Sequence, residues 1–370
     1  MYKEQKMIDE GTTVTVIGLG LIGGALCHTF KKKGLKVTGV SRSETIAKAL
    51  EMKIINDGFE YSRIPEALSG SSFVFVCTPL LDIGERLGDI FQHVDKNTVI
   101  SDVGSTKSVI CSIAEKHIRK GVYFIGGHPM AGSEKRGIEN SNPYLFYDAV
   151  YVLTPLPGTP KKVVKKLSSL IDLLGANVMI LPSEVHDEIA ANVSHLPQLL
   201  AVLLTNHLAE KNNDLFRNLA AGGFRDMTRI ASSSYAMWGD IIKTNMNEVK
   251  KALSDFKKEL SYLTDRLSDD NYLDRFFVNA QKERKTIPRY SKGFLKPLFD
   301  VRVAVQDKHG ELARITNTIY YHDVNIKDIE IVNIREGEGG ILRLGFSEKK
   351  DALKAASALQ AIGCEVAVMD

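Results

Sequence analysis

The chain has 370 residues, 44% apolar and 25% charged, the make-up of a folded protein with room for two or three domains. Its 48 Lys and Arg against 45 Asp and Glu leave a formal charge of only +3 with the signs interspersed, so no basic face for nucleic acid is expected. No uncharged apolar run reaches the ~18 residues of a membrane span, and the four scattered cysteines, with no CxxC pair, argue against a disulfide frame or a metal site.

The opening MYKEQKMIDEG lacks the apolar core of a signal peptide, which together with reduced thiols predicts a cytoplasmic protein. The first half then alternates short β-branched runs with amphipathic stretches. TVTVIG, KVTGV, FVFVCTP, TVISDV, YFIGG, AVYVLTP and NVMIL are the predicted strands, with helical patterns such as LIGGALCHTFKKKG and TKSVICSIAEKHIRKG between them. Strands without strict alternation, separated by helices, predict a mostly parallel sheet covered on both faces, a doubly wound α/β domain over residues 11–182.

Within it, VTVIGLGLIGG sets Gly18, Gly20 and Gly23 directly after the first strand and at the start of a helix. That context is the one a dinucleotide site requires: a tight turn at Gly18, close backbone approach at Gly20 and helix packing at Gly23, with Leu21 and Ile22 in the first helical turn. An acidic residue is expected about 20 residues on, where it would hold the ribose 2′-hydroxyl of NAD. This chain has Ser41 and Arg42 there, a hydroxyl and a guanidinium that suit the 2′-phosphate of NADP, so NAD and NADP both stay open. The competing use of Arg42 is a solvated loop charge.

Ligands bind beyond the carboxyl ends of such strands. Three segments have that placement: CTP with Thr78, SDVGSTK with Ser105, and FIGGHPMAGSEKRG with His128. Pro129 biases His128 toward an extended conformation, presenting an imidazole of ordinary pKa near 6.5 at a strand end. His128 is thus a general-base candidate, against the alternative of a histidine that only holds a loop.

From Ser183 to about residue 288 the apolar spacing is helical, giving an all-helical domain whose broad apolar stripe predicts a homodimer. In NVSHLPQLL, Pro197 must free the carbonyl four residues back and bend the helix, and His195 sits at that bend. Arg225 and Arg229 lie four apart in AAGGFRDMTRIASSSYAMW. Arg229 is a candidate carboxylate anchor, and Arg225 reads as a surface ion pair with Asp226 or Asp240. TIPRYSKGFLKP reads as a linker. Residues 298–370 then run βαββαβ, the ferredoxin-like order.

Together GLGLIGG, SDVGSTK, GGHPMAGS, VSHLPQ and AAGGFRDMTRIASSS…MW, in that order, resemble the prephenate dehydrogenases of tyrosine biosynthesis that carry a C-terminal ACT domain. The resemblance covers the chain after its first ten residues. It implies a Rossmann-like domain, a helical domain and an ACT domain, and the oxidative decarboxylation of prephenate to 4-hydroxyphenylpyruvate by NAD or NADP without a metal. It further implies that His128 is the catalytic histidine, that Ser105 and His195 are polar site positions and that Arg229 binds a carboxylate. Trp238 would be a nearby wall and Glu134 a gate or substrate-discriminating residue. DKHGELARIT…VNIKDIEI resembles an amino-acid-sensing ACT unit, with Asp307, His309, Gly310 and Asn325 around an effector expected to be L-tyrosine. An arogenate dehydrogenase is the alternative of the same class, and a non-catalytic amino-acid sensor the alternative of another.

Overall fold

The computed structural model describes residues 8, 11–131, 135–287, 298–306, 308–335 and 339–368. Two compact units divide the chain, Met1–Leu273 and Asp274–Asp370.

The first unit opens with β1 (Thr13–Ile17), α1 (Leu21–Lys32), β2 (Lys36–Val40), α2 (Ser43–Glu51), β3 (Asp57–Phe59) and α3 (Ile64–Leu68). It continues with β4 (Phe73–Val76), α4 (Leu80–His93), β5 (Val99–Asp102), α5 (Ser108–His117), β6 (Tyr123–Pro129), β7 (Val150–Pro155), α6 (Lys161–Asp172) and β8 (Asn177–Ile180). The eight strands form one sheet in the order β3-β2-β1-β4-β5-β6-β7-β8. All neighbours are parallel except β6 and β7, which run antiparallel with His128 opposite Val152. The first six strands thus have the 3-2-1-4-5-6 order of a dinucleotide fold, and the order reverses between β1 and β4.

Each predicted strand is present. The sequence reading missed β3, because Asp-Gly-Phe carries weak strand propensity and lies at the sheet edge, where pairing with β2 (Val40 with Phe59) defines it. Two apolar layers cover the sheet. Leu26 and Phe30 of α1 and Leu167, Leu170 and Ile171 of α6 pack on one face. Ile64 and Leu68 of α3, Ile83 and Leu87 of α4, and Ile110 of α5 pack on the other. Each such fully buried side chain is worth ~1.5–3 kcal/mol, so the strand ends are held on a rigid base.

Helices follow: α7 (Ser183–Ala190), a π turn over Ala191–His195, α8 (Leu196–Glu210), α9 (Asp214–Asn218), α10 (Gly222–Thr228), a 3-10 turn over Arg229–Ser232, α11 (Tyr235–Thr244), α12 (Met246–Thr264) and α13 (Asp270–Thr286). The bend expected at Pro197 is taken up by the π turn just before it: the missing Pro197 N–H leaves the i→i−4 ladder open, and the helix winds wider there.

In the second unit, β9 (Phe299–Val305), α14 (Glu311–Tyr321), β10 (Asp328–Arg335), β11 (Gly339–Phe346), α15 (Lys349–Ala361) and β12 (Val366–Val368) give the βαββαβ order. The sheet, β10-β11-β9-β12, is antiparallel throughout. Ile315 and Ile319 of α14 and Leu359 of α15 cover one face of it through Val301, Val303, Leu342 and Leu344. On the strands' alternate side Arg343, 1% exposed, is held by Asp300, Asp328 and Glu330.

Candidate active site at the strand ends

At the order reversal the β1–α1 turn meets the end of β4. Gly18 has φ +98°, a left-handed conformation that favours glycine, and a Cβ there would stand 2.7 Å from the Cys77 carbonyl carbon. A Cβ on Gly23 would overlap the Gly18 carbonyl, so only glycine lets α1 start this close to the strand. Gly20 differs: nothing lies within 4 Å of where its Cβ would be. That open position, at the N-cap of α1 and with no acidic residue in the first turn, is the cradle a pyrophosphate needs. Leu21 and Ile22, half-buried, begin the helix beneath it. Thr78 faces the same turn, and its buried Oγ1 has no hydrogen-bond partner among the described residues. An orphaned hydroxyl beside an open cradle fits a dinucleotide.

Ser41 is buried at the end of β2, where its N–H donates to Phe59 O at 3.1 Å, and Arg42 is exposed and makes no ion pair among the described residues. The sequence reading missed Glu60, which follows β3 and accepts from Ser43 Oγ. A guanidinium and a carboxylate therefore both frame this end of the cradle. Nothing in the local sequence signalled Glu60, because it reaches the loop from the neighbouring strand.

β5 alone separates β4 from β6, which carries His128 at its end. Behind it, Asp102 and Lys107 form an ion pair with both side chains fully buried. Lys107 Nζ also donates to Gly127 O at 2.8 Å, and Asp102 accepts from Gly104 N–H at 2.8 Å and Gly127 N–H at 3.0 Å. Every charged atom of the pair is thus satisfied, the condition under which a buried pair is tolerated. Gly127 has to be glycine, since a Cβ would press into the Asp102 carbonyl and Ser101 Oγ.

The half-buried His128 ring meets a second imidazole. His128 Nδ1 lies 2.7 Å from His186 Nε2, and His186 Nδ1 lies 2.8 Å from Asp187 Oδ1. Asp187 further accepts from the N–H groups of Lys107 at 2.7 Å and Ser108 at 2.8 Å, capping α5. Burial first, then the positive charge that His186 would carry if protonated and that of Lys107, hold His128 well below the usual histidine range. Burial raises Asp187, but hydrogen bonds from His186, Ser108 and Lys107 outweigh it and leave the carboxyl below its ordinary value.

His195, 2% exposed, is pushed down to about 4 by burial. It packs edge-on against Trp238, ring centroids 5.8 Å apart, and its Nδ1 lies 3.3 Å from Asn245 Nδ2. Asn245 also donates to Asp187 O at 2.8 Å, and Thr244 Oγ1 meets Thr106 Oγ1 at 2.8 Å beside the half-buried Ser105. The helical segments thereby close onto the β5–α5 loop.

Not every expected residue joins this cluster. Arg229 is exposed in its 3-10 turn, which Gln198 Nε2 anchors to α8 by donating to Ile230 O at 2.9 Å. No described contact ties the Arg229 guanidinium to the histidines. Arg225, expected in a surface ion pair, instead donates to Ala220 O at 3.1 Å. Glu134 and Asp307 lie outside the described residues. His309 and Asn325 are exposed, and Gly310 starts α14 at φ +82°. Burial raises the Cys27 and Cys77 thiols, and Cys111 to about 11, so none is a nucleophile near neutral pH. Among the described residues there is no group of His, Cys, Asp and Glu able to hold a metal ion, and no helix is long and apolar enough to cross a membrane.

Residues 26–180 match the family of prephenate dehydrogenase nucleotide-binding domains, and residues 182–281 the prephenate dehydrogenase dimerization domain. A prephenate dehydrogenase of Bacillus subtilis is 33% identical over 94% of this chain and 96% of its own. This chain belongs to the prephenate dehydrogenase family. Among solved structures, the A. aeolicus prephenate dehydrogenase in complex with hydroxyphenyl propionate and NAD+ is 30% identical, with a TM-score of 0.68 over 75% of this chain and 98% of that one. The Synechocystis arogenate dehydrogenase is 29% identical, with a TM-score of 0.69 over 74% of this chain and 99% of that one.

Proposed function

We infer that this chain is an NAD(P)-dependent oxidoreductase that converts prephenate, with loss of CO2, to 4-hydroxyphenylpyruvate in the synthesis of L-tyrosine. The observation that carries the reading is the His128 imidazole, held by its hydrogen bond to His186 at the end of β6, two strands from the end of β4 that meets the glycine cradle. Gly18, Gly20, Leu21, Ile22, Gly23 and Thr78 would hold NAD(P)+, with Ser41 and Arg42 toward its ribose, and the nicotinamide would supply a hydride acceptor. His128 takes the proton of the C4 hydroxyl as the carbon it sits on gives up hydride and becomes a carbonyl. The ring carboxylate then leaves as CO2, its electron pair makes the ring aromatic, and the proton returns to the phenolic oxygen. Ser105 and His195 offer hydrogen bonds, Arg229 pairs with a substrate carboxylate, Trp238 is a wall and Glu134 a gate or substrate-discriminating residue.

The division into a Rossmann-like domain (11–182), a helical domain (183–288) and an ACT domain (298–370) belongs to the same reading. A homodimer is supported by the match to a dimerization domain and by an apolar groove of about 570 Å³ lined by Leu208, Leu215, Phe216, Leu219 and Phe224. The βαββαβ unit is read as the ACT sensor of L-tyrosine, with Asp307, His309, Gly310 and Asn325 at its effector crevice. The four unpaired cysteines are in keeping with a cytoplasmic enzyme.

The likeness to an arogenate dehydrogenase supports a second reading, in which the substrate side chain is an amino acid instead of a keto acid. Formation of the reduced nicotinamide, followed by its absorbance with prephenate and with arogenate under NAD and under NADP, tests both. Turnover of prephenate supports the main reading, turnover of arogenate alone replaces it, and turnover of neither ends both. Truncation after Lys292 tests the sensor: equal tyrosine inhibition with and without the tail would place tyrosine at the active site instead.

A further inference from the structure

His186 and Asp187, at the start of α7, touch neither cradle nor open site, yet their hydrogen bonds decide what the two site histidines can do. Asp187 is 1% exposed and its side chain only accepts: from Lys107 N–H, Ser108 N–H and His186 Nδ1. The proton between carboxylate and imidazole therefore sits on His186 Nδ1. In a neutral His186 this leaves Nε2 as a lone pair. His128 Nδ1 stands 2.7 Å from that lone pair. Two bare nitrogens at this distance would repel, so His128 carries its own proton on Nδ1, and its Nε2 is bare.

A second branch runs from the same residue. The Asp187 carbonyl accepts from Asn245 Nδ2 at 2.8 Å, and that amide lies 3.3 Å from His195 Nδ1. His195 Nδ1 is then the acceptor, and its proton lies on Nε2. The π turn contributes here: eight residues of regular helix would set His195 roughly 80° around from Asp187, and one wide turn removes about one residue's rotation and realigns them.

We propose that Asp187, acting through His186 and Asn245, sets opposite tautomers on the two site histidines, a bare Nε2 on His128 and an Nε2–H on His195. The first is an acceptor for the substrate hydroxyl and the second a donor to a substrate oxygen. His186 and Asp187 are positioning residues. The inference rests on the prephenate reading for its chemistry, but the tautomers themselves are measurable without substrate.

The experiment uses the full chain with 15N-labelled histidine, at a pH where the imidazoles are neutral, and reads each ring proton by long-range 1H–15N correlation. His128 is expected with its proton on Nδ1 and His195 on Nε2. A His128 proton on Nε2, as an imidazolium at His186 would impose, overturns the proposal. In kinetics, His186→Leu removes the acceptor and is expected to lower kcat roughly 10²–10⁴-fold, the range for a lost base or wrong tautomer. KM for prephenate should barely move, whereas melting should drop because the buried Asp187 carboxylate loses its His186 donor. His186→Gln, whose Oε1 can still accept from His128, should recover most of that loss. Full activity in His186→Leu, or equal loss in both folded variants, contradicts the assignment. Should neither variant fold, the parent spectrum alone decides. Failure of the parent to turn over prephenate would strike the functional reading and leave the tautomer result standing.

Discussion

The nucleotide cradle and the histidine cluster lie at ends of strands in one sheet, and they are built by opposite means. The cradle is backbone: a left-handed Gly18, an open Gly20 and a Gly23 that admits the helix, all within six consecutive residues. The cluster is side chains: His128 from β6, His186 and Asp187 from α7, His195 from the π turn, Asn245 from between α11 and α12, and Lys107 from the loop before α5. A backbone site tolerates many side chains but not an extra Cβ, whereas a side-chain site fails when one polar partner is lost.

The largest break is expected in the cluster. His128→Asn should fold and lose about 10²–10⁴-fold in kcat, the worth of one positioned base; activity within threefold of the parent would remove His128 from the chemistry. Arg229→Ala is expected to weaken prephenate by ~1.5–3 kcal/mol, the range for a charged hydrogen bond, and to leave the cofactor KM unchanged. A rise in cofactor KM alone would move Arg229 to the nucleotide.

The cradle should answer differently at neighbouring glycines. Gly23→Ala meets the Gly18 carbonyl and should cost ~1–3 kcal/mol of stability, seen as a lower melting temperature. Gly20→Ala has open space, so melting should hold while cofactor KM rises; a similar loss of stability in both would mean that Gly20 is not a ligand position. The smallest effect is expected from Ser41→Asp with Arg42→Ala, which should shift the kcat/KM ratio toward NAD by about tenfold, or ~1.4 kcal/mol. An unchanged ratio would make Arg42 a solvated charge and direct attention to Glu60.

The same difference in construction explains what the sequence made legible. The cradle could be read from glycine spacing because each role is local, and the seven longer strands from their apolar runs. His128 was marked by Pro129. His186 was not, because its partner lies 58 residues away and nothing in EVHDEI distinguishes a relay from an ordinary helix start. The adjacent His-Asp pair, on the same helical stretch as His195, was the one signal present. The π turn follows from Pro197, but which face it turns His195 toward depends on Asn245, fifty residues on. Glu60 and β3 escaped for the same reason: they are defined by the neighbouring strand.

The most direct test is the pH dependence of kcat/KM for prephenate in the full chain, beside His128→Asn. Neutral His128 is the active form, and burial above all, with the charge that His186 would carry if protonated and that of Lys107, lowers its affinity for protons, opposed by Asp187 and aided by His195. Rates should therefore stay level as pH falls through 6.5 and drop only at lower pH. Stability falls in acid too: between pH 6.5 and about 4 the unfolded chain protonates His195 while the folded chain does not, costing about 1.4 kcal/mol per pH unit. Activity and melting must accordingly be recorded on the same samples. The account predicts a level profile through pH 6.5 in the parent and a low rate lacking that acid limb in His128→Asn. A parent limb at or above pH 6.5, or one that persists unchanged in the variant, would contradict it.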